Sequence, residues 1–161
     1  MATLVVDANV LVQACIEASG LGPLAGHELL APPIAPSEAL SSLHELRYRG
    51  EISAELAAAA LERLESIQYE VRAPDDLARS AWAIADSLGW AKTYDAEYVA
   101  LARTLGRPLV TLDGRLRRGA NGLAQILGPA DVPGIGVTSG TDEELFSTGA
   151  EWEVLGDRPS E

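Results

Sequence analysis

One cysteine, Cys15, one lysine, Lys92, and two histidines, His27 and His44, are all that 161 residues offer of those types. A single thiol cannot form an internal disulfide, and no Cys/His set stands at zinc spacing. No apolar run approaches the roughly 20 residues a membrane span needs. The start, Met1-Ala2-Thr3, lacks the basic stretch of a secretory leader, and Leu4 to Val6 runs straight into Asp7. A cytoplasmic protein with no membrane attachment is the expectation. Cations are scarce as well: 12 Lys and Arg face 24 Asp and Glu, a net charge of −12. Bulk charge therefore argues against general nucleic-acid binding, while leaving local basic patches open.

The acidity is uneven. Residues 139–161 hold seven acids and one base, whereas residues 1–138 hold 17 acids and 11 bases. Hydrophobic residues make up 47% of the chain, enough for one domain with a real core. The organisation expected is one globular domain over 1–138 and an acidic, mobile tail over 139–161, in which Leu145, Phe146 and Trp152 are available for docking.

Along the chain, short β-branched runs alternate with helical patterns. Thr3 to Val6 reads as a buried strand, with a helix from near Ala8 carrying Val10, Leu11, Ala14, Cys15 and Ala18 inward. Glu28 to Ala31 is a weaker strand. A helix follows from about Ser37 to Arg49 with Leu40, Leu43 and Leu46 inward, stopped by Gly50. Ser53 caps the next helix, whose stripe is Leu56, Ala60, Leu64 and Ile67. Gln68 to Arg72 reads as a strand, and Asp75 caps a helix ended by Gly89. Asp95 opens a helix ended by Gly106, and Pro108 to Leu112 is a strand that turns at Asp113-Gly114. A short helix follows over Arg115 to Gly119, and Ile126-Leu127 or Ile135 to Val137 adds an edge strand. This alternation predicts an α/β fold, a three-layer α/β/α sandwich around a mostly parallel sheet.

Open parallel sheets bind ligands beyond the carboxyl ends of their strands. Asp7 and Asp113 follow the two clearest strands and belong at that edge. The helix from Asp95 feeds the strand at Leu109 and runs antiparallel to it, so its start lies at the same edge. About ten helical residues span roughly 15 Å and five strand residues roughly 16 Å, so the lengths agree. Glu38 opens the helix after the second strand, and the same reasoning applies to it. Each acid also has a local reading: Asp7 and Asp95 as helix caps, Glu38 as a first-turn acid facing the helix dipole, and Asp113-Gly114 as a turn. If the four meet, two carboxylates about 4 Å apart repel by about 4 kcal/mol at an effective dielectric near 20. A hard divalent cation relieves that repulsion, which favours Mg²⁺ or Mn²⁺ over zinc.

Four stretches carry a family resemblance: Leu4-Val5-Val6-Asp7-Ala8-Asn9-Val10-Leu11; Ala35-Pro36-Ser37-Glu38 with Leu43; Tyr94-Asp95-Ala96-Glu97-Tyr98-Val99-Ala100-Leu101-Ala102; and Leu109-Val110-Thr111-Leu112-Asp113. In order and spacing over about residues 3–120 the chain resembles PIN-domain ribonucleases, the VapC-type toxins of bacterial toxin–antitoxin pairs. The resemblance implies an endoribonuclease dependent on Mg²⁺ or Mn²⁺. Asp7, Glu38, Asp95 and Asp113 would be both the catalytic and the metal-binding residues. A metal-activated water would then leave a 5′-phosphate and a 3′-hydroxyl. It also implies supporting roles for Thr111 and Asn9, whose local readings are a strand residue and a helix starter. Homodimers and inhibition by a small cognate antitoxin belong to the same implication. The tail beyond 138 is longer and more acidic than the family's usual end.

Candidate RNA contacts are Lys92, Arg115, Arg117 and Arg118, with Arg47 and Arg49 at the end of the Glu38 helix; a solvated surface explains any one of them equally simply. Trp90 and Tyr94 suit base stacking or packing, and His44 reads as structural. Two other classes compete. An aspartyl-phosphate enzyme, a haloacid-dehalogenase-like phosphatase or a receiver, would want a lysine near the last strands, and the phosphatase an Asp where Asn9 stands. A non-catalytic binding module on the same fold would use the acidic groove for a partner protein.

Overall fold

The computed structural model describes residues 1–133. The acidic tail, its boundary at 138 and the apolar piece Ile135 to Val137 lie outside the described residues. Five strands form one sheet in the order β3-β2-β1-β4-β5: β1 (Thr3–Val6), β2 (Glu28–Ala31), β3 (Glu70–Val71), β4 (Leu109–Val110) and β5 (Ile126–Leu127). Every pairing is parallel. Leu4, Val5 and Val6 are all buried, because a central parallel strand is covered on both faces and needs apolar side chains in both directions.

The helices are α1 (Ala8–Ile16), α2 (Ala35–Tyr48), α3 (Ala54–Ser66), α4 (Leu77–Leu88), α5 (Tyr94–Leu105) and α6 (Gly114–Gly119). The chain moves outward from β1 to β3, then crosses back to β4 on the other side of β1. Right-handed crossovers put α1, α2 and α3 on one face and α4 and α5 on the other. α1 packs against both α2 and α3, and six consecutive residues from Val10 to Cys15 are buried, so this helix is enclosed almost all round. On the opposite face α5 buries Tyr98 to Ala102 against β1 and α4. Gly89 and Gly106 end α4 and α5 at φ +68° and +60°, a left-handed conformation that costs other residues a steric penalty.

Several boundaries depart from the sequence reading, for identifiable reasons. α1 stops at Ile16, so Ala18 lies past its end and is exposed. α2 begins at Ala35, two residues early, because Pro36 fits its first turn. Its buried stripe is Ala35, Ala39, Leu43 and Leu46, which leaves Leu40 outward and 52% exposed. α3 turns Ala57 and Ala60 inward, with Leu56 and Leu64 only half-buried. Ser53 does cap it, accepting from the Leu56 N–H at 3.1 Å. Asp76, rather than Asp75, takes the cap position of α4, without a side-chain cap bond. Among the described residues no helix is long and apolar enough to cross a membrane.

The core should respond accordingly. Leu101→Ala, at a wholly buried position, is expected to cost about 2–5 kcal/mol in denaturant unfolding. Trp82→Ala, on the outer side of α4 and 70% exposed, should stay within about 0.5 kcal/mol of the parent.

Candidate active site

The strand order reverses between β1 and β4, and a parallel sheet opens a crevice at such a point beyond the carboxyl ends of its strands. Val6 pairs with Val110, so the residues leaving β1 and β4 emerge side by side. Asp7 is the first residue beyond β1, and its N–H donates to the Val110 carbonyl at 3.0 Å. It occupies the N-cap position of α1, yet its side chain makes no cap bond. The carboxylate instead accepts the Thr111 hydroxyl at 2.7 Å, while the same Thr111 oxygen accepts the Asp113 N–H at 3.0 Å. Thr111 is fully buried and Asp7 is 3% exposed. One hydroxyl thus ties the ends of the two strands together.

The other acids arrive from both faces. Glu38, in the first turn of α2, is half-buried and accepts the Tyr98 hydroxyl of α5 at 3.3 Å. Asp95 lies in the first turn of α5, where Thr93 and not Asp95 is the cap residue. Asp113 does cap α6, accepting from the Arg115 and Leu116 N–H groups at 2.8 and 3.3 Å, and it pairs with the Arg115 guanidinium at 3.5 Å. Asp113 was read locally as a turn, and the structure makes it a helix cap as well; Asp7 and Asp95, read locally as caps, make no side-chain cap bond.

Electrostatics binds the four together. Burial is the main cause that raises the Asp7 carboxyl from 3.8 to about 6; the Thr111 hydroxyl draws it back, and the charges of Asp95 and Asp113 raise it further. Glu38 is pushed from 4.5 to about 7, first by burial and then by Asp7 and Asp95. Asp95 is exposed as a residue, but its carboxyl is still shifted up, by loss of water first and then by Asp113, with Arg115 opposing. Tyr98 has its hydroxyl held protonated by burial and by the Asp7 and Glu38 charges.

Two members were not singled out as site residues by sequence reasoning. Tyr98 enters the sequence reading only within the Tyr94 to Ala102 stretch, although a buried tyrosine needs a partner for its hydroxyl and its i+3 spacing from Asp95 points to this edge. Glu97 is a fifth acid near the group: it adds to the repulsion on Glu38, and burial raises its own pKa.

Asn9 is exposed, and its side chain makes no hydrogen bond among the described residues. Of the candidate cations, Arg115 is paired with an acid of the group, Asp113, while Arg47 and Arg49 lie at the opposite end of α2 from Glu38. Arg117 is paired with Asp131 at 3.0 Å, and Arg118 lies over Gly114, where an added Cβ would meet its guanidinium at 3.0 Å. Lys92 is exposed without an ion pair among the described residues, Tyr94 is 51% exposed and Trp90 is half-buried. Arg49 pairs with Glu45 along α2.

Among the described residues no three His, Cys, Asp or Glu side chains stand together as a ready ligand set for one ion. Asp113 is turned to its cap and Glu38 to Tyr98, as mutual repulsion favours. Chemically the group suits a hard divalent cation: its donors are carboxylate oxygens, and the buried ones lack a cation to balance them. Asp7, Glu38, Asp95 and Asp113 are the residues that would hold such an ion, directly or through water.

Comparison with known proteins agrees with this architecture. The PIN domain family matches residues 4–122. Ribonuclease VapC3 of Mycobacterium tuberculosis is 32% identical over 120 residues, which is 71% of this chain and 85% of that protein. Among solved structures, PAE2754 from Pyrobaculum aerophilum superposes with a TM-score of 0.60 at 23% identity, covering 78% of this chain and 89% of its own. VapBC2 from Rickettsia felis, bound to a DNA fragment from its promoter, superposes at 0.54 with 12% identity, covering 78% and 98%. Both solved structures share the fold. The receiver alternative fails on topology, since its strand order 2-1-3-4-5 differs from the 3-2-1-4-5 seen here.

The pKa directions fix a pH dependence. A carboxyl whose folded pKa is raised contributes stability below its unfolded value and loses it as pH rises through the folded value. For Asp7 that window runs from 3.8 to about 6, and for Glu38 from 4.5 to about 7. Without divalent cations, Asp7→Asn should therefore gain stability over the parent as pH climbs through this range, by up to about 3 kcal/mol at pH 8. Denaturant titrations in a chelator at pH 4 and pH 8 measure it. Thr111→Val, which removes the bridging hydroxyl, should cost about 1–3 kcal/mol at pH 8, with Thr111→Ser recovering most of it.

Proposed function

The chain belongs to the PIN-domain family, and from that membership we propose that it is a divalent-metal-dependent endoribonuclease, the toxin of a toxin–antitoxin pair. The observation that carries the reading is Asp7: a buried carboxylate, raised to about 6, set near three further acids, with Arg115 paired to Asp113 and no cation against Asp7 or Glu38 among the described residues. Such an arrangement is unfavourable when empty and favourable around Mg²⁺ or Mn²⁺. The relationship to Ribonuclease VapC3 supports RNA as the substrate, and the likeness to a VapBC2 assembly supports a small antitoxin as partner.

In this reading the residues divide the work. Asp7, Asp95, Glu38 and Asp113 would hold the metal and orient the attacking water. Thr111 fixes the rotamer of Asp7 and, through the Asp113 N–H, the distance between the strand ends. The bound metal supplies Lewis-acid stabilisation of the charge that builds on the phosphate and lowers the pKa of the attacking water. Arg115, beside Asp113, together with Arg118 and Lys92, lies at the rim where phosphates of the strand would pass. Arg117 contributes only after release from Asp131. A homodimer is proposed on the same family grounds.

The alternative of a non-catalytic module differs in outcome. Mn²⁺ should raise the melting temperature of the parent and start cleavage of single-stranded RNA, with single-stranded DNA digested in parallel as the control. Asp7→Asn and Asp95→Asn should each lose cleavage by about 10²-fold or more while remaining folded. Parent-like cleavage by either variant would refute the assignment, and the absence of any Mn²⁺ shift would favour the module.

A further inference from the structure

Away from the acidic edge, α2 and α3 leave an apolar groove of about 290 Å³ between them. Leu40, Leu43, His44 and Arg47 form one wall, and Ala57 and Leu61 stand on the other. Leu40 is 52% and Leu61 38% exposed, which is unusual for two large aliphatic side chains facing one groove. The alanines of α3 make room, and the volume suits one or two large side chains rather than a whole helix. Arg47, which lines the groove, makes no ion pair among the described residues, and His44 is exposed.

We propose that this groove is the docking site for the chain's own acidic segment, residues 139–161. That segment combines two chemistries that complement the groove: large apolar side chains for its leucine and alanine lining, and negative charge for Arg47. Phe146 follows Glu143, Glu144 and Leu145, and Trp152 stands between Glu151 and Glu153 ahead of Val154 and Leu155. Reach is no obstacle. From Pro133 to Trp152 an extended chain spans up to about 65 Å, whereas a domain of this size has a radius of gyration of about 14 Å.

Two occupants compete with the tail. A second copy of the chain would occupy the groove in a way that depends on protein concentration. A separate protein would lack the millimolar effective concentration that a tether supplies. The inference does not rest on the nuclease reading, since it concerns a different surface and involves no metal.

The test uses the purified full-length chain and hydroxyl-radical footprinting of Leu40 and Leu61. In the parent, both leucines should be modified at least about threefold more slowly than in a full-length Phe146→Ser/Trp152→Ser variant, the protection given by a tail docked about two-thirds of the time. Full-length Arg47→Glu should lose the same protection, and adding Glu151→Arg and Glu153→Arg to it should restore part. Modification of buried Leu101 reports whether each variant remains folded. Equal rates in parent and variants, or protection that grows with protein concentration, would overturn the proposal, the second outcome pointing to another copy of the chain.

Discussion

The molecule is organised around a buried carboxylate that has water on almost no side and three other acids nearby. Asp7 cannot move away, because it stands at the N-cap of a helix enclosed almost all round and is the first step out of a central strand. Its N–H is held by Val110 and its carboxylate by Thr111. The sheet forces this meeting. In the order 3-2-1-4-5 the strand bearing Asp7 and the strand leading to Asp113 must be neighbours, and the helices carrying Glu38 and Asp95 begin near the same edge. Fold stability and site chemistry therefore oppose each other, and the raised carboxyls of Asp7 and Glu38 express that opposition. A divalent cation is the simplest way to reconcile them.

Thr111 and Tyr98 are the residues through which the fold acts on the acids. Thr111 joins two strand ends with a single hydroxyl; Tyr98 reaches from α5 on one side of the sheet to Glu38 on α2, which comes from the other. Both are fully buried, so neither hydroxyl has water as an alternative partner. The carboxylates are consequently presented from a rigid frame rather than from loose loops, as a reaction needing fixed oxygen positions requires.

Much of this was legible before any coordinates. A fully buried parallel strand must be apolar on both faces, so Leu4-Val5-Val6 stood out, and Asp7 stood out against it. Glycines after apolar stripes marked the ends of α4 and α5 because the left-handed turn there favours them. Alanine hid the rest. The inward face of α2 is Ala35, Ala39, Leu43 and Leu46, and a leucine-led reading chose Leu40, which faces out instead. On α3 the stripe Leu56, Ala60, Leu64 and Ile67 includes the buried Ala60 but misses Ala57, and its two leucines are only half-buried. Contacts between distant side chains, such as Tyr98 with Glu38 or Arg117 with Asp131, leave no periodic trace and need the folded chain to be seen. Leu40 is informative in its misplacement, since its exposure is what makes the α2–α3 groove unusual.

The central claim is that Asp7 and Glu38 form an electrostatically stressed pair that a divalent cation relaxes. Carboxyl-detected carbon NMR of the full-length protein, titrated with and without Mg²⁺, addresses it directly. In a chelator the Asp7 and Glu38 carboxyls should titrate near 6 and 7. Saturating Mg²⁺ should carry both well below their ordinary values. Titration of both at ordinary carboxylate values in the chelator, with no response to Mg²⁺, would contradict the account.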